Sequence, residues 1–163
     1  MARIPKGTLV HNQWNWRPDR IVGGQSFLGA VAGKYTLTGL YNNTSGQDYL
    51  YVIGLSVGTT PGPTMGGNFY IISGTGGMTP AGVQAQNVYP LKGALPGVAT
   101  GGYNTFLGAN ALGGYMNQGN SDWRWIYNWP MAILPPGYSF VCQSGEVNVP
   151  LGMGIWWYVG VAL

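Results

Sequence analysis

Charge is scarce in this chain of 163 residues. Asp, Glu, Lys and Arg together make up 7% of it, against about 25% in an ordinary soluble domain. There is one histidine (His11), one cysteine (Cys142) and four acids, Asp19, Asp48, Asp122 and Glu146. Each shortage removes a class of chemistry. A Ser–His–Asp or Cys–His nucleophile would have to be built on His11, in a polar N-terminal stretch flanked by prolines, a poor place to hold a base against a nucleophile. A zinc site needs three or four His, Cys or carboxylate ligands, and one His with one Cys cannot supply them. Four acids allow a carboxylate pair for glycoside hydrolysis only if folding brings two of them together. The expectation is a protein that is not an enzyme and carries no cofactor and no metal. A lone cysteine forms no internal disulfide, and within Tyr138-Ser-Phe-Val-Cys142 it reads as a small buried hydrophobe. Long apolar runs are missing too. The charge-free stretches Tyr49–Leu91 and Gly93–Ser121 are studded with Gly, Pro, Asn and Thr, which no membrane helix carries so densely. Met1–Gly7 lacks the apolar segment of a secretory signal.

What the chain has in quantity is glycine, 29 residues, and aromatic side chains: 7 Trp, 11 Tyr and 4 Phe. With 11 prolines, the glycine content approaches that of low-complexity sequence, but so many aromatics supply more apolar surface than a disordered chain carries. Period-2 runs recur between Gly, Pro and Asn clusters, and no stretch sustains a helical stripe. Tyr35–Tyr41 alternates, Asn42–Gly46 turns, and Tyr49–Val57 follows with Tyr49, Tyr51, Ile53, Leu55 and Val57 expected on one core face. Further strands are read at Asn68–Ser73, Val83–Leu91, Val98–Leu107, Trp123–Tyr127, Trp129–Leu134, Tyr138–Cys142 and Ile155–Val161, with a turn at Ser144-Gly145. The pattern predicts an all-β fold: an antiparallel β-sandwich, jelly-roll-like, with an extended N-terminal arm over residues 1–25 and the domain over 26–163. Ser73-Gly-Thr-Gly-Gly-Met78 lacks the register of a phosphate loop and reads as a hairpin turn. The overlapping sequons at Asn42 and Asn43 read as Asx-type turn residues.

Charge placement separates the two parts. Arg3, Lys6, Arg17 and Arg20 with Asp19 put the whole net +3 into the first twenty residues, and the rest is neutral. A basic arm suits an anionic partner, or simply solubility. Four cations are few beside the roughly six to ten phosphate contacts of a dedicated nucleic-acid binder, so direct nucleic-acid binding is not expected. The aromatics allow three readings: core and edge cover, a stacking platform for sugars or bases, or a subunit interface enriched in Trp, Tyr and Met. Trp123, Trp125, Tyr127 and Trp129 share one face of a strand. In Trp156-Trp157-Tyr158 the middle residue must point away from its neighbours. Trp125, Tyr127 and Trp157 are the candidates for self-association.

Two segments carry a resemblance. Gly39-Leu-Tyr-Asn-Asn-Thr-Ser-Gly-Gln-Asp-Tyr-Leu-Tyr-Val-Ile-Gly-Leu-Ser-Val57 is similar to the strand–turn–strand hairpin of small tailed-bacteriophage virion proteins, with Asn43 where proline is usual and Gln47-Asp48 where lysine is usual. Leu134-Pro-Pro-Gly-Tyr-Ser-Phe-Val141, with the Trp-rich last strand, resembles the closing hairpin of phage jelly-roll domains. The resemblance implies a head decoration (cement) protein: a trimeric jelly roll on the outer capsid surface, made in the host cytoplasm, with its arm on neighbouring shell subunits. No catalytic residue carries over from that family. The partner is then the major capsid protein of the same virion. Arg3, Lys6, Arg17 and Arg20 would form charge pairs with the shell, and Trp14 and Trp16 would fill apolar sockets on it. The alternative is a tail or fibre receptor-binding, glycan-binding module on the same fold.

Overall fold

The computed structural model describes residues 17–58, 65–80, 83–87, 95–104, 111–117, 123–126 and 130–161. After a short 3-10 turn at Pro18–Arg20 come twelve strands: β1 (Ile21–Leu28), β2 (Tyr35–Tyr41), β3 (Asp48–Gly58), β4 (Met65–Ser73), β5 (Thr79–Pro80), β6 (Val83–Asn87), β7 (Val98–Asn104), β8 (Gly113–Asn117), β9 (Trp123–Ile126), β10 (Ala132–Leu134), β11 (Tyr138–Val147) and β12 (Leu151–Val161). No α-helix occurs among the described residues, and none of their helical turns is long and apolar enough to cross a membrane.

Two antiparallel sheets pack face to face. One runs β10-β3-β12-β1-β6 with β9 also paired to β3, and the other runs β5-β7-β2-β11-β4-β8. The pairing is nested: β1 with β12, β2 with β11, β3 with β9 and β10, β4 with β8. That is one long antiparallel hairpin rolled up on itself, the jelly-roll order. Strands β5 to β7 fall outside the nesting. They widen the sheets, β6 beyond β1 and β7 with β5 beyond β2.

The sandwich begins earlier than the sequence suggests. Ile21–Leu28 is an interior strand, hydrogen-bonded to β12 on one side and β6 on the other, so residues 21–25, expected in the arm, belong to the sandwich. The alternation of β1 is masked in the sequence by Gly23-Gly24, which stand where side chains would otherwise mark the two faces.

Most of the core lies between the sheets, where Leu40, Leu50, Val52, Leu55, Val57, Phe69, Phe140, Cys142, Leu151, Ile155 and Trp157 are buried. Phe69 and Phe140 stack with centroids 5.5 Å apart. The expected face of β3 breaks in the middle. Between the pairs Trp156↔Gly54 and Trp157↔Val52 one extra residue of β3, Ile53, is accommodated as a bulge, and a bulge reverses which alternate residues point inward. Leu50 and Val52 therefore face the core before it and Leu55 and Val57 after it. Tyr51 lies on the opposite side, edge-on to Tyr158.

Trp157 corrects a second expectation. Proposed for self-association, it is fully buried. Its Nε1 donates to the carbonyl of Pro96 at 2.8 Å, and its ring fills the space that side chains on Gly24 and Gly97 would need. Gly97 adopts φ +112, a conformation other residues rarely take. The strand parity that separates Trp157 from its neighbours is as the sequence indicates; it directs Trp157 inward and Trp156 outward.

Two turns also differ from expectation. Ser144-Gly145 is no turn, because β11 continues through it with a register irregularity and the chain reverses at Asn148, φ 63. The segment Ser73–Met78 is no hairpin either: β4 lies beside β11, whereas β5, which follows, pairs with β7 across the sheet. The glycines at 74, 76 and 77 have φ of 73, 59 and 82, and they let this strap cross the outside of the second sheet. Its Met78 caps Leu37, Tyr70 and Val141 to form a small second core. The Asn42 turn is as expected. The buried Asn42 accepts hydrogen bonds from the Thr44 backbone N–H at 3.2 Å and its hydroxyl at 2.8 Å, and its amide donates to the carbonyls of Asp48 and Leu134.

Candidate interaction surface

The two expected surfaces fare differently. Of the docking residues, Arg3, Lys6, Trp14 and Trp16 lie outside the described residues. Arg17 and Arg20 sit together where the chain enters β1. Arg17 makes a two-pronged pair with Asp19, Nε to Oδ1 at 3.1 Å and Nη2 to Oδ2 at 2.8 Å, and that hydrogen bond raises the Arg17 pKa above its ordinary value. The Arg17 side of the pair is exposed, so the pair is worth little to folding. Arg20 donates from Nη1 to the carbonyl of Val159 at 3.0 Å, which ties the short turn before β1 to the last strand. Of the self-association residues, Trp157 is withdrawn into the core. Trp125 is known by its backbone, in register with Leu55, and Tyr127 lies outside the described residues.

Trp156, an aromatic that the sequence leaves open between edge cover and a stacking platform, lies on the outside of the first sheet. Strand alternation puts Gly152, Gly154, Trp156, Tyr158 and Gly160 of β12 on one face. Their neighbours are Phe27, Gln25, Gly23 and Ile21 on β1, and Gly58, Ser56, Gly54, Tyr51 and Tyr49 on β3. The glycines decide what the aromatics do. A Cβ on Gly23 would stand 3.1 Å from Cδ1 and Nε1 of Trp156, one on Gly54 3.2 Å from Cε3, and one on Gly154 3.7 Å from Cη2. Those atoms lie at opposite edges and the far end of the indole, and the three glycines lie on three adjacent strands. The ring therefore lies across the sheet, one face on a bed of backbone and the other toward solvent, with Trp156 41% exposed. Phe27, 63% exposed, leans over Gly152, whose Cβ would come within 3.1 Å of Cδ2. Between the two rings the floor is Gly154, with the Ser56 hydroxyl leaning over it (2.7 Å from where a Cβ would be) and Gln25 exposed on the other flank.

At the arm end of the same face the surface closes. Tyr51 lies over Gly160 and donates its hydroxyl to the Val161 carbonyl at 2.5 Å. Burial pushes its phenol pKa up from the ordinary tyrosine value, with Tyr49 and Tyr158 adding to the rise. No charged side chain lies in Gly23–Leu28, Gly54–Gly58 or Gly152–Tyr158. Among the described residues, no three His, Cys, Asp or Glu side chains gather in one place, and Cys142 is in the main core. The signal that would have found the platform is present in the sequence: Gly152, Gly154 and Trp156 alternate along β12, and small residues recur on the strands beside it.

No family model matches the chain, no curated protein matches it, and no solved structure matches it.

Proposed function

We propose that this chain is a structural virion protein that decorates a bacteriophage head, held to the major capsid protein by its cationic, Trp-bearing N-terminal residues and associating with copies of itself as a trimer. The observation that carries the reading is the division of the chain at Ile21. A charge-neutral jelly roll begins there on an interior strand, and every unit of net charge precedes it. Arg20 fixes the point of departure against Val159, so an arm anchored elsewhere would transmit its hold directly into the middle of a sheet. Arg3, Lys6 and Arg17 supply charge for an acidic shell surface, and Trp14 and Trp16 supply apolar contact. The trimer follows from the resemblance and from the scarcity of surface charge. Tyr127 is the residue proposed for it now that Trp157 is assigned to the core and Trp125 stands in register with the core-facing Leu55.

The test is co-sedimentation with shells assembled from the major capsid protein of the same virion. The full chain should pellet with the shells, with affinity falling as salt rises. A chain lacking residues 2–16, which keeps the Arg17–Arg20 root, should stay in the supernatant with unchanged circular dichroism. Equal binding by both chains, or by neither, rejects the docking role. A stable monomer at high concentration in sedimentation equilibrium rejects the trimer.

A second reading, a tail or fibre receptor-binding module, is favoured by one observation: the indole of Trp156 is supported from beneath and open above.

A further inference from the structure

We propose that the outer face of the first sheet binds a neutral oligosaccharide, one pyranose ring stacked on Trp156 and the chain running along β12 toward Phe27. The inference deepens the receptor-binding reading and rests on the geometry of this face, not on attachment to a capsid.

Three features select the ligand. The first is rigidity and flatness. An indole laid on Gly23, Gly54 and Gly154 presents an electron-rich plane, which attracts the weakly positive C–H bonds on the face of a sugar ring. Support from below removes the rotamer freedom that an exposed Trp would otherwise lose on binding. The second is the placing of hydrogen-bonding groups. The Ser56 hydroxyl and the Gln25 amide flank Gly154, one strand-row from Trp156, or about 7 Å along the strand. That puts a donor and acceptor at the rim of a ring stacked on the indole, where sugar hydroxyls project. Phe27 over Gly152 lies a further row away, roughly 13 Å from Trp156 along the strand, and meets a different ring of the same chain. The third is charge. The three strand segments in the middle of the face carry no Asp, Glu, Lys or Arg, and the charged residue brought to its border is Arg124 of β9, in register with Ser56; a cation without an acid beside it in these strands leaves the middle of the face to uncharged rings.

A globular protein partner fits less well. The face is shallow, and side chains on five of its positions are replaced by glycine, which leaves little to interdigitate.

The test is titration of the full chain with neutral linear oligosaccharides (cellohexaose, chitohexaose, xylohexaose, mannohexaose and maltohexaose), followed by Trp fluorescence and by calorimetry. At least one should bind, more tightly than its monosaccharide. Trp156→Ala should weaken it at least tenfold, and Phe27→Ala should weaken the hexasaccharide but not a disaccharide. Gly154→Val, which puts a side chain into the floor under the ring, should weaken binding with Trp156 in place. Each variant is checked by its thermal midpoint, so that loss of binding is read only from a folded protein. Absence of binding at low-millimolar sugar, binding confined to sialylated or uronic-acid probes, or a Trp156→Ala variant that binds normally or changes only the oligomeric state, overturns the proposal. Co-sedimentation with shells is a separate readout, so failure of the sugar site and failure of capsid docking are told apart.

Discussion

The outer faces of the two sheets meet the same problem and resolve it differently. Both carry apolar side chains on the side away from the main core. On the second sheet, Leu37, Tyr70 and Val141 are roofed by Met78, delivered by a glycine-rich strap that crosses the strands. On the first, Trp156 and Phe27 lie over glycines and stay open. Glycine serves both faces in opposite ways. In the strap it supplies positive φ so that backbone can pass overhead, while under Trp156 it removes side chains so that a ring can settle on the sheet. A covered face contributes stability. An exposed face held rigid at the expense of five side-chain positions is better explained by a ligand.

The sharpest way to break this contrast is to truncate the two adjacent tryptophans. Trp157→Ala empties the core beside Gly24 and Gly97 and orphans the Pro96 carbonyl, and should cost about 3–5 kcal/mol in urea denaturation. Trp156→Ala should cost below about 1 kcal/mol, as surface changes do. Equal losses would mean that Trp156 is a structural residue and that the open face is not a site. Next in size is the roof. Met78→Ala should cost about 2–3 kcal/mol through the second core and leave oligosaccharide binding unchanged. A variant that loses binding as well would show that the two faces are coupled.

A finer comparison uses one added methyl on each face. On Gly39 a Cβ would meet the Phe140 carbonyl oxygen at 2.6 Å and the Met78 methyl at 3.1 Å, whereas on Gly54 it meets the edge of the Trp156 ring at 3.2 Å. Backbone cannot yield and an exposed ring can. Gly39→Ala should therefore destabilise by about 1–3 kcal/mol, with Gly54→Ala costing less than half as much but tilting the ring and weakening sugar binding. The reverse order, read from denaturation midpoints, would remove the distinction between a packed roof and a movable platform.

How far the sequence reveals this depends on where side chains mark the faces. The sandwich was legible because Tyr35–Tyr41 alternates and Tyr138–Cys142 and Ile155–Val161 are short apolar runs bounded by Gly, Pro and Asn breaks, and the buried Asn42 turn was legible because Asn-Asn-Thr-Ser-Gly is turn chemistry. Strand β1 was not, since Gly23-Gly24 erase its alternation and its membership in the sheet depends on partners more than fifty residues away. The β3 bulge was hidden for a related reason. Tyr49, Tyr51, Ile53, Leu55 and Val57 form an unbroken apolar period, and only the register against Trp156 and Trp157 shows where it slips. Trp157 was assigned to an interface because parity tells which residues share a face, not which face is inside. The platform itself was written in small residues, which carry no hydrophobic signal and so escape a reading built on apolar periodicity.

The smallest effect tests the closed end of the open face. Tyr51 is covered there and hydrogen-bonded to Val161, and burial, with Tyr49 and Tyr158 adding to it, raises its phenol pKa above the ordinary tyrosine value in the folded protein. In the unfolded chain the same phenol ionises near pH 10. Above that pH the folded state binds more protons than the unfolded one, so stability falls as pH rises; below about pH 9 both states are protonated and Tyr51 makes no pH-dependent contribution. Tyr51→Phe should cost about 1 kcal/mol at neutral pH through the lost hydrogen bond, and its urea midpoint should decline less steeply than the parent's between pH 9 and 11. Parallel declines would mean that Tyr51 ionises as freely in the fold as outside it, and that this end of the face is as open to water as the end at Trp156.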